Sequence, residues 1–435
     1  MPSSGRANYM LGVLVLSYLV SYLDRQIMTL LIGPISEDLG LDDFQVSLLA
    51  GFAFALFFCL LGLPLGRMAD RFTRKWLIIS GILLWSAMTA LCGLADSFPE
   101  MFLARMGVGV GEAALAPAAY SLISDSFKPE RLVRATSVFA MGALLGIGTA
   151  FLWGGSIISL VERDVGGIAT TLGLAPWRAA FILVALPGVL VAALGLLVKE
   201  PRRQGAGKEM PSLAETLGYL RAHRRDFLPI YACGGLLGIV TFGGLSWFPT
   251  HLIRTFGAQP SEVGLALGAV HVGAALLGAA LGPWLTEYLQ RRGRADAHLV
   301  AIGMLSLLAF VGLLAPLMPS FASGVALWSL CALAQSSYYG CCFTALQLLT
   351  PNRMRALNAA GFIFVVNMLG LGFGASAIAA WSQFIFPQGG IGAAIALICG
   401  VSALLSALIA WRSLPSFATS MRQRGGGLAA RAGDG

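Results

Sequence analysis

The sequence predicts an all-α membrane protein: twelve transmembrane helices in two pseudo-symmetric bundles of six. Three observations carry this. Of 435 residues, 57% are hydrophobic and only 11% charged, against about a quarter charged in soluble domains. Apolar runs of about 20 residues, enough to span a bilayer at helical rise, recur from Tyr9 to Trp411. The longest polar interruption, 199–227, divides those runs six and six. The 54 glycines fit close helix–helix contact in lipid.

In order, the spans are expected near 9–31, 44–66, 76–95, 98–124, 133–161 and 178–198, then 228–254, 262–288, 298–317, 321–350, 356–383 and 390–412. Of the 29 Lys and Arg, 24 fall on one side of these spans, 3 on the other (Arg163, Arg178 and Arg254) and 2 inside. The basic side is expected to be cytosolic, with both termini there. Basicity therefore reports topology and not a nucleic-acid partner. The organisation is a bundle over 1–198, a cytosolic linker over 199–227, a second bundle over 228–412 and a flexible cytosolic tail over 413–435. No cleavable signal is apparent. Compact loops suggest a bacterial chain, hence a multi-pass protein of the cell (inner) membrane, expected to be a monomer.

Span one holds Asp24 and Arg25, roughly 12 Å from its outer end. Span four holds Arg105 at matching depth and Glu112 two turns further in, on the same face. An ionised residue in hydrocarbon costs several kcal/mol unless paired or hydrated. A cluster of Asp24, Arg25, Arg105 and Glu112 around one wet cavity removes that cost. Snorkelling to the interface and bracing of packing are the bland readings, and Arg25 sits about 100° round the helix from Asp24. The mechanistic expectation is that Asp24 or Glu112 takes up a proton while an arginine competes for the carboxylate or binds an anionic substrate group.

After span two comes Gly66-Arg-Met-Ala-Asp70-Arg71-Phe-Thr-Arg74-Lys75. Here Gly66 permits a tight turn, Asp70 accepts hydrogen bonds, and Arg71 and Arg74 stay on the cytosolic side. Asp70 is placed to cap span eleven through its helix dipole, or to pair with Arg131 or Arg134, as a latch that holds while the cytosolic side is shut. The alternative is a purely topological basic loop. In the linker, Ser212 and Glu215 form a capping box before an amphipathic surface helix. The halves resemble each other faintly: Glu287, Arg291 and Arg292 follow span eight at offsets like those of Asp70, Arg74 and Lys75. Gly142, Gly146 and Gly148 in span five are echoed by Gly370, Gly372 and Gly374 in span eleven, letting helices cross closely where the halves meet. Duplicated halves about a central path are the plan of secondary transporters.

The second half has no deep charge apart from His271. Its interior offers Tyr338, Tyr339, Phe343 and Asn367 as possible substrate-lining residues, with Gln335, Ser336 and Asn358. That asymmetry suits an amphiphile, head toward the first-half arginines and tail against the second half, although aromatic stripes usually pack. Gly107-Val-Gly-Val-Gly111 lies inside a helix and reads as packing. There is no phosphate-binding loop for ATP, no metal spacing among the four His, and the seven Cys lie within spans as small apolar residues.

The Gly66–Lys75 loop resembles the signature between helices two and three of the major facilitator superfamily. Tyr22-Leu-Asp24-Arg25, Arg105-Met-Gly-Val-Gly-Val-Gly-Glu112-Ala and Ile123-Ser-Asp125-Ser-Phe, with Trp85-Ser86 and the stretch from Trp177-Arg178 to Pro187-Gly188, resemble the Spinster lipid-transporter family over about the first 200 residues. The resemblance implies the twelve-helix major facilitator fold, alternating access and cargo such as sphingolipids or lysophospholipids. It also implies Asp24, Arg25, Arg105 and Glu112 at the cavity and Asp70 in the cytosolic latch. The expectation is a proton-coupled carrier of amphiphiles, needing no cofactor or metal beyond the coupling proton. The rivals are a multidrug or small organic-anion exchanger on the same fold and a membrane-bound acyltransferase-type enzyme.

Overall fold

In hydrocarbon every backbone polar group must be satisfied internally, so each apolar run closes into a helix. The computed structural model describes residues 4–165, 167–201, 203 and 212–422. The first bundle comprises α1 (Ser4–Leu30), α2 (43–71), α3 (Arg74–Cys92), α4 (Phe98–Ser126), α5 (Pro129–Glu162) and α6 (Pro176–Leu196). The second comprises α7 (Arg224–Phe256), α8 (Pro260–Arg291), α9 (Ala297–Gly312), α10 (Phe321–Leu349), α11 (Arg355–Ile385) and α12 (Gly390–Arg412). Eleven are apolar enough to cross a membrane on composition alone. The exception is α10, whose polar middle, Gln335 to Tyr339, dilutes a 29-residue helix that carries no charge.

Because the number of membrane helices is even, both chain ends lie at one end of the bundle, here called the terminus side; the other is the far side. Helix starts follow local chemistry. Asp42 accepts from Gln45 N at 2.7 Å while Gln45 Oε1 accepts from Asp42 N at 3.1 Å, a reciprocal cap that opens α2. Pro176 and Pro260 occupy first positions, where a missing N–H costs nothing.

The halves meet along α5 with α8, α2 with α11 and α1 with α7. Small residues set the approach. Gly148 lies against the backbone of Val272, and Gly155 against the Cα of Gly264. The two glycine sets divide their work more than the sequence suggested. Gly372 faces Phe52 and Ala55 of the other half, whereas Gly142 and Gly146 pack on α1, and Gly370 and Gly374 on α7, within their own halves. Three helices relax into π-helical turns where they meet: Leu48–Phe52 in α2, Ile239–Gly243 in α7 and Met368–Gly374 in α11. Such turns often mark functional sites.

The linker helix is Leu213–Ala222. Ser212 Oγ accepts from Glu215 N at 3.0 Å, but the Glu215 carboxylate reaches Arg353 at 2.7 Å rather than closing the box. Tyr219 Oη donates to the Leu349 carbonyl at 3.1 Å, so this helix is docked on the end of α10. Linker residues 202 and 204–211 lie outside the described residues. The segment expected as a flexible tail is helical over 414–422. Its Leu414, Phe417 and Met421 share one face and pack on the core, with Phe417 buried, and Ser420 Oγ donates to Asp226 Oδ1 at 2.6 Å. Residues 423–435 lie outside the described residues.

Candidate functional site

Adjacent residues on a helix point about 100° apart, and α1 uses this to send Arg25 toward the seam between the halves and Asp24 toward α3. Arg25 Nε and Nη2 donate to Glu112 Oε2 of α4 at 2.7 and 2.5 Å. Its guanidinium also lies 4.5 Å from the Phe54 ring, 4.9 Å from Phe58 and 5.0 Å from Tyr22. Three ring faces and one carboxylate thus replace the water a buried cation would lose. Glu112 is buried, and its second oxygen has no hydrogen-bond partner among the described residues.

Arg105 behaves differently. It is buried, and its Nε and Nη1 donate to the carbonyl oxygens of Leu49 and Asp24 at 3.2 and 3.3 Å. It therefore fastens the π-helical turn of α2 to α1 and does not clamp a carboxylate. Asp24 is fully buried, and neither of its carboxylate oxygens has a hydrogen-bond partner among the described residues. The Thr89 hydroxyl and Trp85 indole N–H of α3 face it, also outside bonding geometry. An unpartnered acid at this depth is costly.

A cavity of about 20 Å³, room for a single water, lies between the halves. Its first-half wall includes Tyr22, Arg25, Phe54 and Arg105; its second-half wall is Phe242, Leu245, Ser246 and Leu371. Of the four charged residues expected around one cavity, the two arginines line it. Glu112 reaches it only through Arg25, and Asp24 is turned away into α3. Among the described residues, two polar bridges join the halves on the far side: Arg254 to both Asp43 carboxylate oxygens at 2.7 Å each, and Phe44 N to Gln383 Oε1 at 3.0 Å.

The expected latch residues divide. Gly66 is not in a turn but inside α2, its Cα side facing Pro117 of α4 in ordinary contact; the turn falls at Phe72 and Thr73. Asp70 lies in the last turn of α2, and its side chain lies outside what the structure describes. Arg71 is exposed, as are Arg131 and Arg134 at the start of α5. Arg74, expected in the cytosolic loop, is instead almost fully buried. It pairs with Asp125, donates to Glu200 Oε1 at 2.8 Å and to Ser121 Oγ at 2.9 Å, tying α3, α4 and the end of α6 into one unit. Arg203 donates to the carbonyls of Ala69 and Phe72 at 2.9 and 2.5 Å, a contact with no sequence signal.

The second-half candidates do not line the cavity. Tyr338 is buried beside Thr241, whose Oγ1 donates to it at 3.4 Å. Tyr339 stacks on Phe343 with centroids 6.3 Å apart. Asn367 Nδ2 donates to Ile363 O of its own helix at 2.9 Å. The aromatic cage was missed, although Tyr22 lies three positions before Arg25, and Phe54 and Phe58 share a helical face. Ser246 and Leu371 were missed too, since π-helical turns break the periodicity that would have turned them inward.

The chain matches the sequence pattern of the Major Facilitator Superfamily over residues 14–375. An MFS-type efflux pump of Mycolicibacterium smegmatis is 27% identical over 371 residues, 84% of this chain and 82% of that protein. Protein spinster of Drosophila melanogaster is 25% identical over 317 residues, 70% of this chain and 50% of its own length. A sphingosine-1-phosphate transporter of Danio rerio is 25% identical over 334 residues, 70% of this chain and 61% of its own. The chain thus spans half to three fifths of the length of these last two relatives. A bacterial homologue of the human lysosomal transporter Spinster, inward-facing and unoccupied, superposes with a TM-score of 0.79 at 26% identity, covering 97% of this chain and 98% of that one.

Proposed function

The chain belongs to the Major Facilitator Superfamily, and from that premise we propose that it is a proton-coupled secondary transporter of amphiphilic, lysolipid- or sphingolipid-like molecules. The observation that carries this reading is Arg25: a cation on the cavity wall, held by Glu112 and three aromatic rings, opposite an apolar wall from the other half. An anionic headgroup entering the cavity competes with Glu112 for the guanidinium. Glu112, once released, accepts a proton, and Asp24 is the second proton site, facing Thr89 and Trp85. Arg105 holds α1 to α2 so that the cluster moves as a unit when the halves rock. The apolar chain of the cargo lies along Phe242, Leu245 and Leu371. The terminus side, which carries most of the Lys and Arg, is cytosolic by this reading, and the protein sits in the cell (inner) membrane.

A lipid-transporting relative, the sphingosine-1-phosphate transporter, supports amphiphilic cargo. The efflux-pump relative favours a second reading, a multidrug or organic-anion exchanger using the same arginine. Uptake into proteoliposomes under an imposed pH gradient separates them. Lysophospholipid should move faster than a hydrophilic organic anion, with a rate that follows the gradient. Preference for the hydrophilic anion replaces the first reading with the second.

A further inference from the structure

A second void, larger than the central cavity, lies away from the central charges. A vestibule of about 700 Å³ opens on the far side, between the starts of α2 and α12, the end of α7 and the loop before α10. Three groups at its wall can donate to an anion. His251 lines it and is 4% exposed, and its Nε2 has no hydrogen-bond partner among the described residues. Thr255 Oγ1 occupies the other ring nitrogen at 3.1 Å, and the Pro316 carbonyl lies near the ring outside bonding geometry. Gly390, Ile391 and Gly392 bring the first turn of α12, whose leading N–H groups find no acceptor within the helix and whose dipole favours negative charge. Arg254 is the third. The acids present are engaged: Asp43 holds Arg254, and Asp42 caps Gln45.

We propose that this vestibule binds a small anion, a phosphate or carboxylate group, on His251 Nε2, the first turn of α12 and Arg254. Gly392 belongs to the site because a Cβ there would run into the His251 ring, separating imidazole from helix terminus. The bound anion shares Arg254 with Asp43 and so loosens one of the two far-side bridges between the halves. Occupancy therefore favours opening of that side.

Inorganic phosphate is titrated into the full chain in zwitterionic nanodiscs, following the ¹⁵N resonances of His251 in the unmutated protein. A saturable shift is expected. His251→Leu should weaken phosphate binding by about tenfold or more, the loss of one hydrogen bond to a charged group. Nanodiscs of phosphatidylglycerol without phosphate decide the source: a shift there alone assigns the anion to a lipid headgroup, and a shift with phosphate alone assigns it to the aqueous phase. No shift in either overturns the proposal. Phosphate affinity that falls with Arg25→Gln and not with His251→Leu overturns it too, placing the anion in the central cavity.

Discussion

The first half buries charge in its middle; the second half buries neutral polar groups and bends. In the first, Asp24, Arg25, Arg105 and Glu112 sit within the membrane-spanning parts of α1 and α4. In the second, the buried groups away from helix ends are neutral, and several of them satisfy one another. Asn358 Nδ2 donates to Thr350 Oγ1 and its Oδ1 accepts from Tyr231 Oη, both at 2.6 Å, and Ser306 meets Ser406 at 2.9 Å. Its buried acids, Asp226 and Asp296, stand at helix ends. Where the first half offers guanidinium to the cavity, the second offers π-helical turns of α7 and α11. The difference teaches a division of labour: one bundle supplies the charged groups, and the other supplies a largely apolar wall on backbone that can change its winding.

The largest expected effect breaks the charged side of this comparison. Glu112→Ala leaves Arg25 buried beside three rings without its carboxylate, and losing one partner of a buried pair costs about 3–5 kcal/mol. Both thermal stability and pH-driven transport should fall. Replacing both partners, Arg25→Met with Glu112→Leu, should restore much of the stability and none of the transport. Glu112→Gln and Asp24→Asn should fold normally yet lose pH-driven uptake; undiminished gradient-linked uptake by both would remove these carboxylates from coupling.

The next effect acts at the seam, where a π-helical turn of the first half meets the bending α11. Gly51, in the π-helical turn of α2, faces the Leu371 backbone carbonyl of α11 so closely that a Cβ has no room. Backbone cannot step aside as a flexible side chain does. Overpacking of this kind costs about 1–3 kcal/mol, here charged only to the far-side-closed arrangement. Gly51→Ala should therefore raise the labelling of a Ser246→Cys reporter from the far side by about tenfold. The seven native cysteines are all buried, which keeps background reaction low. Unchanged labelling would mean that the turn relaxes without opening.

Removing a far-side bridge should do less. Asp43→Asn breaks a pair whose arginine side chain is 41% exposed, and such pairs are worth about 0.2–1 kcal/mol. The same reporter should react up to about fivefold faster, and the exchange Asp43→Arg with Arg254→Asp should reverse the change.

How much of this the sequence disclosed follows from cost. Buried ions are so expensive that Asp24, Arg105 and Glu112, with Arg25 beside them, stood out from their places inside apolar runs, and the even span count followed from the charge breaks. Even α10, the least apolar span, was legible because no charge interrupts it. What stayed hidden was direction. Asp24 and Arg25 are neighbours, and nothing local says which faces the seam. Arg74 reads as a loop cation until Asp125 and Glu200 arrive from distant positions to bury it. The π-helical turns carry no distinctive composition, since glycines serve both close packing and rewinding.

The smallest expected effect tests the second half's neutrality directly. Asn367 is the polar residue of α11 that sequence reasoning would assign to the cargo, yet its amide donates to its own helix at Ile363. Deleting an amide already satisfied along its helix should change transport of a lysolipid by less than about twofold, within the few tenths of a kcal/mol typical where no special feature is lost. A larger loss would mean that α11 rewinds during the cycle and turns Asn367 toward the substrate. In that case the π-helical segment Met368–Gly374, which follows it immediately, is the element that moves it, and the second half would contribute polar recognition as well as an apolar wall.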